Sequence, residues 1–463
     1  MRDEGAVSPA GGAVSPAGGE ADHLREVIKD CVHCGFCLPA CPTYQLWGEE
    51  MDSPRGRIYL VGQILDGAEL TSAGAEHFDR CLGCMACMTA CPSGVQYDQL
   101  IEVARVWTEE ARSEPAPVVA GVPASAGRLA RARDRAVRAA IFSLFPYPRR
   151  LRAATGPLRA AQRTGLDRRL ARSSLPARLS PTLGAAMKLA PPPAAGVRLP
   201  ERVAARGPRR AVVGMLTGCV QSVFFPQVNA ATARVLATEG CDVIIPRGQG
   251  CCGALSLHSG REAEAVAFAR QTIETFERAG VDAIVVNSAG CGSAMKEYER
   301  LLGRDGQDLG WAGRAAALSA RVRDLSEFLV DLGPVAPRHP LPVTAAYHDA
   351  CHLAHAQRIT RQPRELLRAI PELRLVELAD AGTCCGSAGV YNLLQPEAGG
   401  ELGARKAQAV LDAGAPLLIS ANPGCTLQIA AALADRGERV AVAHTAEILD
   451  ASLRGLPPPV TAG

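Results

Sequence analysis

The sequence has little of what marks several classes of protein. Its 463 residues contain no run of about 18 apolar residues, and the opening Met-Arg-Asp-Glu-Gly does not lead from a basic stretch into an apolar one. These absences argue against a membrane span and a secretory signal, so we expect a cytoplasmic protein. A peripheral contact with the inner face of the cell membrane stays open. Because the net charge is only +3 and aromatic residues make up 4%, nucleic acid is not an expected partner.

Cysteine, in contrast, is abundant and patterned. Two strings with the same spacing, Cys-x2-Cys-x2-Cys-x3-Cys-Pro, occupy residues 31–42 and 81–92. In such a string three cysteines turn their sulfurs toward one iron-sulfur cube and the fourth reaches the neighbouring cube. We therefore predict two 4Fe-4S clusters. The expected ligands are Cys31, Cys34, Cys37 and Cys91 for the first cluster, and Cys81, Cys84, Cys87 and Cys41 for the second.

Two other uses of these eight cysteines fit the pattern poorly. A zinc site usually takes two cysteine pairs, or cysteine with histidine, and a grouping of three plus one does not supply that set. Disulfide bonds need an oxidising compartment, and the chain shows no signal that would take it there. Iron-sulfur ligation remains the favoured interpretation.

The surroundings of the strings are predicted to be helical. Ser53 followed by Pro54 is a typical helix start, and about forty residues with helical periodicity separate the two strings. We therefore predict a helical ferredoxin-like domain over residues 21–111, which ends in a helix from about Tyr97 to Ala111. Residues 1–20 repeat small residues with Pro and Gly, which is typical of a disordered tail.

Residues 112–205 form a connector rich in Arg and Pro. Fourteen Arg but only two acidic residues lie between 128 and 178, and the prolines are expected to limit this segment to short helices. One interpretation is a solvated linker. The other is a docking surface for anionic lipid headgroups or an acidic partner, with the apolar stretch 141–145 as its centre.

The rest of the chain repeats itself as two halves, residues 206–340 and 341–455. In each half a strand leads to a first cysteine, a second strand leads to Cys-Cys-Gly, and a third leads to Gly-Cys; Ser259 and Glu262 predict a capping box on the intervening helix of the first half. The gaps are 31 and 32 residues before the Cys-Cys pair and 38 and 39 after it. Alternating strands and helices predict two α/β domains with parallel strands, so the whole chain is expected to be multidomain.

The cysteines of these halves are candidate metal ligands. In each half the first and last cysteine follow a strand and open a helix, where the helix dipole favours the thiolate. Four thiols per half can converge on one metal centre, or they can be reduced, packed thiols at a domain interface. Of the 17 cysteines, only Cys241 belongs to none of these sets, and we expect it to be a buried apolar residue. The candidates are Cys219, Cys251, Cys252, Cys291, Cys351, Cys384, Cys385 and Cys425.

Two ferredoxin strings followed by two Cys-Cys-Gly domains resemble the iron-sulfur subunit family of glycolate oxidase (glycolate dehydrogenase). Fuller strings carry this resemblance: Cys-Val-His-Cys-Gly-Phe-Cys from residue 31, Asp-Ser-Pro-Arg-Gly-Arg-Ile-Tyr-Leu from residue 52, and Cys-Cys-Gly-Ser-Ala-Gly from residue 384. It covers residues 21–111 and 210–450. The alternatives are iron-sulfur subunits of lactate-utilisation or anaerobic glycerol-3-phosphate dehydrogenase systems, or a heterodisulfide reductase-like enzyme.

The resemblance implies an electron-transfer subunit with no catalytic residues of its own. In that family an FAD-binding partner oxidises glycolate to glyoxylate, and the iron-sulfur subunit passes electrons toward a quinone-type acceptor. The chain lacks a Gly-x-Gly-x-x-Gly loop after a predicted strand, which agrees with a flavin held by the partner. We therefore expect an oxidoreductase subunit that is not catalytic alone.

One departure concerns the cysteine-rich halves. In heterodisulfide reductase each half ends in Cys-x-x-Cys and supplies five thiolates to an unusual cluster, whereas Ser288 and Asn422 stand at the first of those two positions here. An additional cluster with four ligands per half and a metal-free docking site both stay open. His348, His352 and His355 surround Cys351 and are candidates for a metal or proton-relay role, although ordinary structural histidines are the simpler interpretation.

Overall fold

The computed structural model describes residues 18–113, 124–166, 169, 173, 175–191, 196–304 and 309–458. The predicted disordered tail, residues 1–20, lies almost wholly outside this part of the chain. Among the helices that the structure describes, none combines the length and the apolar character that a membrane-spanning segment requires.

The N-terminal domain is helical, as predicted. The first cysteine string lies between α1 and α2, and the second lies between α4 and α6 with the short α5 inside it. Ser53 caps α3 by accepting a hydrogen bond from Gly56 N (3.0 Å), and Pro54 opens the helix where its missing N–H costs nothing. The helices are α1 (Gly18–Lys29), α2 (Pro42–Trp47), α3 (Pro54–Leu65), α4 (Ser72–Arg80), α5 (Ala86–Ala90) and α6 (Tyr97–Ser113), with a 3-10 turn at Glu50–Asp52.

A buried ionic network fixes α3 and α4 between the two strings. Asp52 is fully buried and its carboxylate contacts Arg80 Nη1 and His77 Nδ1, both at 2.9 Å. Arg57, 1% exposed, donates to the carbonyl of His77 (2.7 Å) and lies 3.4 Å from the Asp52 carboxylate. Because buried charges are tolerated only when paired and hydrogen-bonded, these helices are held in one arrangement.

The connector contains longer helices than predicted. In the part of the connector that the structure describes, the helices are α7 (Ala124–Leu144), α8 (Pro148–Thr164), α9 (Leu175–Leu179) and α10 (Pro181–Lys188). Pro148 and Pro181 each occupy a first helical turn, so they begin helices instead of breaking them. The apolar stretch 141–145 is also not a free docking surface, because Ile141 and Phe142 are buried against Val390 and Leu393 of the second half.

The first α/β half contains a five-stranded sheet in the order β1-β3-β2-β4-β5. All neighbours are parallel except β1, which runs antiparallel to β3 and starts before residue 206, the predicted beginning of this domain. The strands are β1 (Arg202–Val203), β2 (Ala211–Met215), β3 (Cys241–Ile244), β4 (Ala283–Val286) and β5 (Val322–Asp324). The helices are α11 (Cys219–Phe224), α12 (Pro226–Thr238), α13 (Ala254–Leu257), α14 (Glu262–Ala279), α15 (Ala289–Lys296), α16 (Tyr298–Gly303), α17 (Leu309–Ser319) and α18 (Leu325–Leu332).

The second half repeats this plan with a four-stranded, fully parallel sheet in the order β7-β6-β8-β9. Its strands are β6 (Val343–His348), β7 (Leu373–Glu377), β8 (Leu417–Ser420) and β9 (Ala441–His444). Its helices are α19 (Arg361–Arg368), α20 (Tyr391–Leu394), α21 (Pro396–Asp412), α22 (Pro423–Asp435) and α23 (Thr445–Arg454), with a π-helical turn at His352–Ala356.

The three domains pack into one body. Side chains from both sheets share a hydrophobic core, in which Val213 and Val243 of the first half join Tyr347 and Ile419 of the second. The ferredoxin-like domain docks onto the first half through α6, where a Cβ added at Gly260 would lie 2.1 Å from the carbonyl oxygen of Arg105. The sites described next lie at these junctions.

Candidate metal centres

The structure brings together the four cysteines predicted for the first cluster. They line a small cavity of about 30 Å³ near the surface. Cys34 is exposed, while Cys31, Cys37 and Cys91 are half-buried. Cys87, predicted for the second cluster, also lines this cavity, so the two sets are adjacent. Burial raises the pKa of the Cys37 thiol to about 11.

The second set is entirely buried. Cys41, Cys81, Cys84 and Cys87 interact electrostatically with one another, and burial followed by this mutual repulsion raises the pKa of Cys87 well above its ordinary value. Cys81 differs from its neighbours. Although burial opposes ionisation, the guanidinium groups of Arg57 and Arg105 bring its pKa below the ordinary value, and its sulfur accepts hydrogen bonds from Gly83 N (3.3 Å) and the Tyr97 hydroxyl (3.5 Å).

The backbone of both strings fits the clusters predicted for them. The residues on either side of the second cysteine have positive φ in each string: His33 (54°) and Gly35 (82°) in the first, Gly83 (63°) and Met85 (61°) in the second. This conformation is uncommon for His and Met. Two strings with one spacing thus bend in the same strained way, and the thiols, sulfur-directed donors and nearby positive charge suit an anionic, thiolate-bound cluster.

Each cysteine-rich half gathers its own four thiols. In the first half the sulfurs of Cys219 and Cys251 are 3.6 Å apart, and side-chain hydrogen bonds continue from Cys251 to Cys252 and from Cys252 to Cys291. In the second half the same chain of contacts runs through Cys351, Cys384, Cys385 and Cys425. The repeat seen in the sequence is therefore a repeat of two four-thiol sets.

Two of the thiols that the helix dipole was predicted to favour as thiolates, Cys291 and Cys425, have the opposite pKa shift. Cys219, Cys291 and Cys425 do stand in the first turn of α11, α15 and α22, and Cys351 directly precedes the π-helical turn. However, the pKa of Cys291 is raised well above its ordinary value by its contact with Cys252 and by burial, and that of Cys425 by its contact with Cys385 and by burial. At these two positions neighbouring thiols and burial act against the helix dipole, which amounts to about half a charge.

Both thiol sets line one larger cavity of about 360 Å³. Cys84 of the second cluster set lines the same cavity, as do connector side chains such as Leu144, Phe145 and Leu151. Its wall also carries Gln221, which is 2% exposed and whose amide atoms have no hydrogen-bond partner among the described residues. The cavity thus joins the ferredoxin-like domain, the connector and both halves.

The positions at which the halves lack a fifth cysteine meet each other. Ser288 Oγ and Asn422 Oδ1 are 3.3 Å apart, and Asn422 Nδ2 lies 3.5 Å from Cys425 Sγ. The two substitutions therefore replace thiolates with a hydrogen-bonded pair between the halves.

The three candidate histidines have different surroundings. His352 Nε2 is 2.9 Å from the carbonyl of Gly83, and His355 contacts Thr89 Oγ1 and the carbonyl of Gly382, each at 2.9 Å. These two rings tie the second half to the second string. His348, in contrast, lies within 4.8 Å of the sulfurs of Cys385 and Cys425 and is fully buried.

Sequence reasoning missed two residues of the cavity wall. His258 lines the cavity and stacks edge-on against His352, with ring centroids 4.8 Å apart. Burial lowers the pKa of His258 well below its ordinary value, so it is neutral at pH 7. Gln221 lies two residues after Cys219 in α11. In the sequence, the only indication that His258 and Gln221 line a site is that each lies within a few residues of a patterned cysteine.

Three family models match the chain. A 4Fe-4S dicluster domain matches residues 27–95, the linker region of the glycolate oxidase iron-sulfur subunit matches residues 133–190, and a cysteine-rich domain matches twice, at residues 213–296 and 345–430.

Curated relatives extend the likeness over most of the chain. A protein of Bacillus subtilis named "Probable glycolate oxidase iron-sulfur subunit" is 36% identical over 91% of this chain and 93% of its own length. The "Glycolate oxidase iron-sulfur subunit" of Escherichia coli is 35% identical over 94% and 95%. "Lactate utilization protein A" of an Exiguobacterium strain is 32% identical over 52% of this chain and 98% of its own length. Among solved structures, a hypothetical protein from Helicobacter pylori shares the fold, with a TM-score of 0.51 and 9% identity over 95% of this chain and 73% of that one.

Proposed function

Because this chain belongs to the glycolate oxidase iron-sulfur subunit family, we propose that it carries electrons from an FAD-binding subunit, which oxidises glycolate to glyoxylate, toward a quinone-type acceptor. The chain is an iron-sulfur electron-transfer subunit of the 4Fe-4S type. We assign Cys31, Cys34, Cys37 and Cys91 to one cluster and Cys41, Cys81, Cys84 and Cys87 to the other. Each cluster, when bound, takes up and releases one electron at a time.

The arrangement of the cysteine sets carries this proposal. The first set opens to the surface, the second is buried beside it with Cys87 lining the cavity of the first, and Cys84 lines the large cavity. The chain thus holds a continuous series of thiol sites from its surface to a cavity between the two halves. A series of this kind suits a relay of charge, so we propose that the chain is not catalytic alone.

We place the entry of electrons at the first set. Val32 and Phe36 flank the exposed Cys34 and are themselves 68% and 65% exposed. Apolar side chains around an accessible redox site are suited to a transient protein contact, since interface cores are depleted in charge and enriched in aromatic residues. The FAD-binding subunit is the partner proposed for this face.

We place the acceptor in the large cavity. Its walls include the apolar Leu144, Phe145 and Leu151, and the unpartnered amide of Gln221 offers a donor to a carbonyl oxygen. An apolar ring with two carbonyl groups matches both features. The connector around this cavity also exposes Leu166, Leu175, Leu179 and Leu183, which together with its Arg residues supports a peripheral contact with the inner face of the cell membrane.

The lactate-utilisation alternative is less well supported. The relative of that name pairs with 52% of this chain, whereas both glycolate oxidase subunits span more than nine-tenths of it. The match of the linker region at residues 133–190 points to the same branch.

The test uses the full chain with its FAD-binding subunits. Cys84→Ser should remove iron from the second set and lower glycolate-driven reduction of a soluble quinone at least tenfold, while glycolate still bleaches the flavin anaerobically at the normal rate. Cys241→Ala is the matched control, because Cys241 is buried on β3 outside all four sets and its replacement should change neither iron content nor turnover. Full quinone reduction by iron-depleted Cys84→Ser would contradict the proposal.

A further inference from the structure

The two cysteine-rich halves share their cysteine pattern but differ at one position beside it. Three residues before the first cysteine, the first half has Leu216 and the second half has His348. Both residues continue a strand pairing: Leu216 N donates to the carbonyl of Val285 (3.1 Å), and His348 is in register with Ser420 of β8. The two side chains therefore occupy equivalent places at the carboxyl ends of equivalent strands.

Leu216 is explained by packing, but His348 is not. Leu216 is 3% exposed and belongs to the hydrophobic core of its half. The imidazole of His348 is fully buried, and it interacts with the thiol of Cys385. Its nitrogens reach no nitrogen or oxygen partner among the described residues. Leaving polar groups buried without full partners is costly, so this ring and the thiol beside it call for a further ligand.

The side chains nearest to His348 are metal-binding groups, which indicates that the missing partner is a metal ion. A ring nitrogen of His348 and the sulfurs of Cys385 and Cys425 all lie within 4.8 Å of one another, and all three residues are buried. Cys384 is hydrogen-bonded to Cys385, which places a third thiol next to this group. In a tetrahedral zinc site with zinc–sulfur bonds of about 2.3 Å, neighbouring sulfurs are about 3.8 Å apart, so a small contraction would close these donors around one ion.

We propose that the second half binds one Zn²⁺ ion through His348, Cys384, Cys385 and Cys425. Three thiols and one imidazole form a ligand set that zinc commonly takes in closed, structural sites. Binding releases the thiol protons to solvent and takes the imidazole in its neutral form. His348 does not line the large cavity whereas the three cysteines do, so the ion would lie between the sheet and the cavity wall.

This site goes beyond the electron-transfer function, because it is separate from the eight cysteines of the ferredoxin-like domain. It also assigns different roles to two halves that look alike in sequence. In the first half Leu216 stands at the position equivalent to His348 and packs into the hydrophobic core, while the imidazole of His258 lines the shared cavity instead.

The test is the metal content of the full chain, purified anaerobically from medium containing zinc. The wild-type chain should hold about one zinc in addition to its iron, and His348→Leu, which copies the first half, should lose the zinc and keep the iron. Cys252→Ser in the first half is the matched control and should keep the zinc. Zinc retained by His348→Leu, no zinc in the wild type, or extra iron lost in place of zinc would each overturn the proposal.

A second measurement guards against misfolding of the leucine variant. Co²⁺ replaces Zn²⁺ and reports its ligands by absorption, so His348→Cys should still bind one Co²⁺ but with stronger sulfur-to-cobalt charge-transfer bands. An unchanged cobalt spectrum in His348→Cys would show that the imidazole is not a ligand.

Discussion

Single residues decide how the cysteine strings hold their shape. The spacing of the strings predicted which cysteines group together, and the structure brings both groups together. The spacing of the cysteines could not predict that His33 and Met85 adopt left-handed backbone conformations. Such conformations are set by the surrounding fold and not by local preference. In the same way, a list of histidines near Cys351 could not separate His348 from its two hydrogen-bonded neighbours. That distinction depends on the burial and the hydrogen-bond partners of each histidine ring, which the structure provides and the sequence does not.

His444 provides a prediction at this scale. Its Nδ1 accepts a hydrogen bond from Ala446 N (3.0 Å) and its Nε2 donates to the carbonyl of Asn287 (2.8 Å), so the neutral ring both caps α23 and joins the halves. Burial lowers its pKa from 6.5 to about 4. Because the unfolded chain binds this proton more readily, the stability contributed by neutral His444 is present above pH 6.5 and is lost as the pH falls toward 4.

The measurement is unfolding by denaturant at pH 7 and pH 5. His444→Asn keeps a capping side chain but cannot titrate, so the wild type should lose more stability between these pH values than the variant does. The full effect of the shift is about 3 kcal/mol, of which roughly 2 falls within this interval. Equal losses in the two proteins would show that His444 does not titrate in this way.

At the scale of elements, the repeat extends further than the cysteines. The final helix of each half starts with a capping box directly after the last strand: Asp324 with Glu327 on α18, and His444 with Glu447 on α23. The capping box predicted from Ser259 and Glu262 is wrong. Ser259 N donates to the carbonyl of Ser256 at the end of α13, and α14 begins at Glu262 after Arg261, which makes no side-chain cap. Sequence spacing alone does not distinguish the end of one helix from the start of the next.

The contact between α6 and the loop before α14 supplies a prediction at this scale. Gly260 has a positive φ of 75°, and an added Cβ would lie 2.1 Å from the backbone of α6. Gly260→Ala should therefore push the ferredoxin-like domain away from the first half. Gly248 is the matched control, with a φ of 83° and no atom within 4 Å of an added Cβ, so Gly248→Ala costs backbone strain alone.

We expect Gly260→Ala to lower the free energy of unfolding by about 2 kcal/mol more than Gly248→Ala does, the usual size of an overpacking effect. The midpoint of thermal unfolding of the cluster-loaded chain measures the difference, and slower quinone reduction should accompany it. Equal midpoints for the two variants would mean that this contact does not position the domains.

At the scale of the whole molecule, the sequence predicted the parts but not their junctions. The spacing of the cysteines and the periodicity of the apolar residues predicted the helical ferredoxin-like domain, the connector and the two parallel α/β halves. The cavity shared by both thiol sets, Cys84 and the connector does not, because it depends on contacts between residues far apart in the chain. Nor did composition reveal that Ile141 and Phe142 are buried against the second half. The path from the surface to the cavity is a property of the assembled domains.

The central claim is that the first hundred residues hold two clusters of four iron atoms, eight in all. The most direct measurement is iron and acid-labile sulfide per chain in anaerobically purified protein, with electron paramagnetic resonance of the reduced sample. We predict about eight of each, and signals from two interacting one-electron centres that Cys34→Ser and Cys84→Ser each simplify to one. A colourless protein, or one that carries zinc in place of iron and sulfide at these eight cysteines, would contradict the account.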